Sequence, residues 1–291
     1  MRIAPQLSRI CLLVGLLAVL LGLNGCSSMI KSATGSLADS LSHAVLNQND
    51  PETVRQGAPT FLILLDGLID ADPDNQSLLV AGAKLYGAYA SAFVTDEARR
   101  VRLAGKSKAF ASRALCASHP AICGDIDGPY EDYIVHLKSF PKKDVKLLYE
   151  FSAAWAGWIQ ANSNDWNAII DLPKVEAGML KVVELNETYD AGSAYVYLGV
   201  MATQLPPAFG GKPEVGRKYF ERANELAGGK NLMTKVLFAK NYARLVFDRD
   251  LHDQLLNEVL EADPVATDLT LINSLAKQQA QILLDGSDDY F

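Results

Sequence analysis

The stretch LPPAFGGKPEVGRKYFERA, residues 205–223, decides how the chain is read. Pro206 and Pro207 remove two backbone donors and stop a helix that begins near Gly192, while Gly210 and Gly211 admit backbone angles that other residues resist. The chain must turn here. Pro213 has the fixed φ suited to a first helical turn, and Val215, Tyr219, Phe220, Ala223, Leu226 and Ala227 then recur at helical spacing on one face. The stretch is the joint of a helical hairpin, widened into an apolar loop.

Outward from this joint the same kind of helix end recurs. LLDGLIDADP at 64–73 returns as LLNEVLEADP at 255–264, with most positions identical or chemically similar, and both lead out through an acid and a proline that terminate the helix. Alignment on the acid pairs Leu65, Leu68 and Asp70 with Met179, Val182 and Glu184, with Phe220, Ala223 and Glu225, and with Leu256, Val259 and Glu261. The last three acids lie 41 and 36 residues apart, close to the period of paired-helix repeats. Tyr195-Val196-Tyr197-Leu198-Gly199 resembles the aromatic and Leu-Gly opening of a tetratricopeptide repeat, and Gly216, Phe220 and Ala223 sit where that motif has small, aromatic and Ala. A helix pair of this kind cannot bury its apolar face alone and must stack on neighbours.

The rest of the chain is helical in pattern. Helices are expected from Pro51, over 75–92 with small residues at 81–83 and 87–88 for close contact, and over 95–116 with Arg99, Arg100, Arg102, Lys106 and Lys108 on a solvated basic face. Short 129–140 follows, then 144–160 with Leu148, Phe151, Trp155 and Trp158 on one face, a helix ending at Asn186, and helices over 232–247, 250–262 and 267–284. No alternating run argues for a sheet. The fold class is therefore all-α, an array of antiparallel helical hairpins with cryptic tetratricopeptide-like repeats, forming one domain over 51–291.

Residues 1–25 read as a targeting segment. Arg2 and Arg9 precede an apolar run at 10–23, shorter than the ~20 residues of a spanning helix, and Leu23-Asn24-Gly25-Cys26 follows at once. This resembles a bacterial lipoprotein signal, which implies cleavage before Cys26, lipidation of its thiol and, with Ser27 next, export to the outer membrane facing the periplasm. Residues 26–50 are then a lipidated tether and short helix. Loss of Arg2 and Arg9 makes the formal charge of −7 two units more negative, which argues against a nucleic-acid partner and leaves membrane contact to the lipid. Cys116 and Cys123, seven positions apart across His119-Pro120 and Gly124, read as a disulfide in an oxidising periplasm. A metal or redox pair with His119 lacks the fourth ligand of a structural zinc site.

No catalytic, metal or cofactor constellation is found. His43, His119, His136 and His252 are scattered, Gly210-Gly211-Lys212 lacks the spacing and preceding strand of a phosphate loop, and Asp125-Ile126-Asp127-Gly128 lacks the closing acid of a calcium loop. Aromatic residues carry more. Trp155, Trp158, Tyr195 and Tyr197 are candidates to line an inner surface of the array, with core packing as the alternative for the tryptophans. Phe209, on a loop framed by Gly210 and Gly211, belongs to no helical face and suits a ligand, a partner or a second copy.

The lipoprotein signal, the cryptic repeats, LPPAFGGKPEVGRKYFERA and the closing KVLFAKNYARLVFDRDLHDQLLNEVLEADP together resemble the T-component lipoproteins of TRAP transporters, most specifically over 205–262. The resemblance implies a non-enzymatic, all-helical homotrimer with a channel through each subunit. It also implies a periplasmic solute-binding P subunit as partner and a small hydrophobic or carboxylate-bearing ligand. A tetratricopeptide scaffold lipoprotein for envelope assembly is the rival reading, to be told apart by an open, polar, Asn/Lys-lined concave face in place of a closed apolar tunnel.

Overall fold

The starts of four helices follow from a local rule. Asp50, Asn75, Asp96 and Asp248 each accept a hydrogen bond from the backbone N–H of Glu52, Leu78, Arg99 and Leu251, satisfying donors that a helix start leaves open. The computed structural model describes residues 40–291, so the expected signal, Cys26 and the beginning of the tether lie outside the described residues. Residues 40–46 are helical. The main helices are α1 (Pro51–Ala71), α2 (Gln76–Phe93), α3 (Glu97–Ser118), α4 (Tyr130–Lys138), α5 (Val145–Ala161) and α6 (Leu172–Asn186), then α7 (Ser193–Ala202), α8 (Pro213–Leu226), α9 (Leu232–Leu237), α10 (Arg249–Glu261) and α11 (Thr270–Asp285). Among the described residues there is no strand, and the fold is all-α.

Helices adjacent in sequence pack as hairpins: α2 on α3, α5 on α6, α7 on α8, and α10 on α11. The α2–α3 pair is close because Gly82 and Gly87 present no side chain. A Cβ at Gly87 would stand 2.9 Å from the Ser107 hydroxyl, which instead donates to the Ala83 carbonyl at 2.6 Å. The α7–α8 pair repeats the device, since a Cβ at Gly199 would come within 3.0 Å of the Phe220 ring. Pro59 inside α1 leaves the Arg55 carbonyl without its helical donor, and the Tyr89 hydroxyl of α2 donates to that carbonyl at 3.2 Å. Past Leu237 the chain widens into a π-helical turn over Phe238–Ala243 before α10.

Two cores result. One spans α1 to α7 around Tyr133, Leu148, Phe151 and Trp155, and the other joins Phe220 of α8 to Val236, Leu256 and Ala280. Met179, Phe220 and Leu256, matched in the sequence alignment, are fully buried, so truncating Phe220 to Ala costs about 3–5 kcal/mol. Tyr219 packs on the first core while Val196 and Val200 pack on the second, so the α7–α8 hairpin ties the two together.

Two expectations fail. Val215 is exposed rather than part of the buried face of α8, because Gly216 and Phe220 turn that face toward α7 one position later. Lys106 and Lys108 do not form a solvated face of α3. Lys106 pairs with Asp66 at 2.5 Å and lies 4.7 Å from the Tyr86 ring centre. Lys108 is mostly buried over the faces of Trp155 and Trp158, at 4.8 and 4.4 Å from their ring centres. Long aliphatic stems let lysines lie along apolar surface that a charge count cannot foresee.

Candidate functional site

The segment before α11 returns to the segment before α1. Asn47 and Asp268 exchange two hydrogen bonds of 2.8 Å, Asn47 donating through Nδ2 and accepting from the Asp268 backbone N–H, across 221 positions of sequence. Between α1, α2 and α11 lies a groove with about 120 Å³ of accessible space, open to solvent. Phe61 and Leu62 come from α1, Leu85 and Tyr89 from α2, and Leu271 and Leu275 from α11. The Tyr89 hydroxyl is spent on the Arg55 carbonyl, so the groove offers its ring rather than its polar end. Its lining, with few polar groups, suits an apolar chain or ring.

The sequence singled out other residues, and the fold does not bring them together. Trp155 is completely buried, with Lys108 on its ring and Lys174 5.6 Å from its centre, so no face is left for a ligand. Trp158 is partly buried under Lys108. Burial lowers the pKa of Lys108, with Asp127 and Asp171 opposing that shift. Tyr195 stacks at 5.8 Å on Tyr219, and its hydroxyl donates to Glu187 at 3.2 Å. Tyr197 lies apart from it, edge-on to Tyr149 of α5 at 6.2 Å.

Phe209 is 76% exposed at the tip of the 205–212 loop. The loop is tightly held: the N–H groups of Phe209 and Gly211 both donate to the Pro206 carbonyl, and that of Lys212 donates to Ala202. Gly210 has φ +90°, and a Cβ at Gly211 would fall 1.6 Å from the Leu205 carbonyl oxygen, so neither position tolerates another residue without rearrangement. A rigid loop thus presents Phe209 and half-exposed Leu205 to solvent. Cys116 and Cys123 have Cα atoms 5.5 Å apart, within the range that a disulfide spans.

A second cluster was not foreseen. Tyr149 of α5 meets Tyr189 and Tyr197, and Glu150 and Asp190 lie near enough to act on these rings electrostatically. Burial raises the pKa of all three tyrosines and of Glu150, and the negative charges of Glu150 and Asp190 push the tyrosines further the same way. The available signal was an acid inside an apolar run, LLYEFSAAW at 147–155. The groove residues gave no such signal, since Leu62 and Leu85 read as ordinary core.

Residues 47–291 match the family model described as TRAP transporter T-component. The chain belongs to the TRAP transporter T-component family. That match covers all the main helices, the groove and the 205–212 loop, and it makes the T-component a part of a transport system. No curated protein matches the chain closely enough to be counted a relative. Among the described residues of this T-component no helix is long and apolar enough to cross a membrane.

Proposed function

We propose that this T-component is a periplasm-facing lipoprotein, held at the outer membrane by lipid on Cys26. In this reading it binds or conducts a small hydrophobic or carboxylate-bearing ligand together with a solute-binding P subunit of its TRAP transporter. The groove between α1, α2 and α11 carries this reading: it is apolar, open to solvent, and built where the two ends of the helical array meet. Its apolar lining fits a small-ligand site better than the polar face expected of a scaffold, while its open form differs from the closed tunnel expected of a conduit. The exposed Phe209 on its rigid loop serves as a contact to the P subunit or to the next copy in a homotrimer.

The test uses chain purified from its native envelope, with bound small molecules extracted and identified by mass spectrometry and co-purifying proteins identified in parallel. A hydrophobic ligand displaced by Leu275→Glu, and a solute-binding protein retained by the wild type, support the reading. Recovery of neither sinks it. Phe209→Ser separates the two roles of the loop: loss of the P subunit with an unchanged particle mass marks a partner dock, and a fall in mass marks a contact between copies.

A further inference from the structure

We propose that residues 40–47 form a strap over the groove between α1, α2 and α11, latched by Asn47 to Asp268, and that release of this latch governs how fast an apolar ligand enters and leaves. The proposal rests on the reading of that groove as a ligand site and adds the device that controls it. Val45 and Leu46 line the groove together with Phe61, Leu62 and Leu271. Leu41, one helical turn before Val45, shares a smaller hollow with Phe61, Leu64 and Leu85. One short helix thus covers both hollows.

Size shows that some part of the wall must yield. With the strap down the groove holds about 120 Å³ of accessible space, below the ~300–1,000 Å³ of most small-molecule sites. A ligand of ordinary size therefore displaces part of the lining. Leu62, Tyr89 and Leu271 are buried, so α1, α2 and α11 are fixed by the packing around them. The strap is not: Leu41, Val45 and Leu46 are only partly buried, and residues 40–46 are fewer than the ~12–15 at which an isolated helix becomes even marginal in water. Its link to α1 is also separable. Gln48 Oε1 accepts from the N–H groups of Asn49 and Asp50, while Asp50 itself caps α1, so a swing about 48–49 leaves the start of α1 in place.

The latch is then what holds the strap down. Asn47 Nδ2 donates to Asp268 Oδ1 and Asn47 Oδ1 accepts from the Asp268 N–H, each at 2.8 Å, and the same Nδ2 ties back to the His43 carbonyl at 2.8 Å. His43 Nε2 stands 3.5 Å from the same carboxylate oxygen. Asp268 keeps a φ of 60°, and a left-handed non-glycine residue persists where its surroundings impose it; here Asn47 engages both its N–H and its carboxylate. These groups are exposed, so water competes for each bond and the latch is of the kind that breaks and reforms.

The experiment is stopped-flow mixing of the purified full chain with N-phenyl-1-naphthylamine, whose fluorescence rises in apolar surroundings. The wild type is expected to bind the probe, with binding lost in Leu275→Gln, or in Ile272→Gln should the first variant not fold; circular dichroism and melting temperature check folding. Asn47→Ala removes both bonds to Asp268 and should speed entry and release about ten-fold. Asp268→Gly keeps the N–H and should speed them less, whereas Asp268→Asn keeps an acceptor oxygen and should stay within about two-fold of the wild type. Probe binding that the groove variants abolish, at rates unchanged in Asn47→Ala, overturns the strap and leaves the ligand reading standing. No binding of the probe, or binding that the folded groove variants leave intact, overturns the ligand reading and the gate with it.

Discussion

Replacing Lys174 by Met tests how the interior around the tryptophans is held. Lys174 is 5% exposed, and its ammonium donates to the Ile126 carbonyl and to Asp171, each at 2.9 Å, beside the Trp155 ring. Met has a similar length and keeps the apolar contacts, but it leaves the Asp171 carboxylate, whose side chain is 16% exposed, without its hydrogen-bonded cation, Lys108 acting on it only at longer range. A charge-assisted hydrogen bond contributes about 1.5–3 kcal/mol, and stranding one partner of a buried pair costs about 3–5 kcal/mol. Because Asp171 keeps some access to water, we expect the lower end, about 3 kcal/mol. For a domain of this size that lowers Tm by roughly 6–12 °C. Urea unfolding followed by tryptophan fluorescence measures it, and the double variant Lys174→Met with Asp171→Leu should recover most of the loss, since no buried charge is then unpaired. A single-variant cost below about 1 kcal/mol, or a double variant as unstable as the sum of the singles, would refute the reasoning.

Three further outcomes follow from the same coordinates. Burial raises the Glu150 pKa above its ordinary 4.5, so the folded chain binds this proton more tightly than the unfolded one. Stability therefore falls as pH rises from 4.5 through the raised value; Glu150→Gln should melt higher than wild type at about pH 8, with the gap shrinking toward pH 4.5, and a pH-independent gap would show the reasoning wrong. Gly211→Ala should loosen the 205–212 loop by about 1–3 kcal/mol, read as faster amide exchange at Lys212 with little change in the α10–α11 hairpin; unchanged exchange at Lys212 would contradict the Leu205 clash. Cys116 and Cys123 should resist maleimide labelling in denaturant until reduced, and Cys116→Ser should cost about 2.5 kcal/mol for a closed loop with a separation of 7 residues; labelling before reduction would exclude the bond.

Much of the helical architecture was legible because its signals are local. The starts expected at Pro51, 75 and 250 fall within a residue or two of those observed, since a cap and its helix are neighbours in sequence. The 205–212 turn was legible for the same reason: prolines and glycines constrain their own backbone. The candidate sites were less so. Helical spacing put Trp155 and Trp158 on one face correctly, but it could not say that Lys108 and Lys174 come to lie against Trp155 and close it off. Tyr195 and Tyr197, two apart in sequence, end against different partners because one faces α8 and the other faces α5.

What the sequence determined alone was the succession of helices, their breaks and the apolar face each must bury, all set by backbone rules acting over a few residues. What only the tertiary structure decided was which distant faces meet. Asn47 reaches Asp268, α11 closes the groove against α1 and α2, and Tyr149 meets Tyr189 and Tyr197. The reason is geometric: which faces meet depends on how helices far apart in sequence pack, and no single segment contains that information.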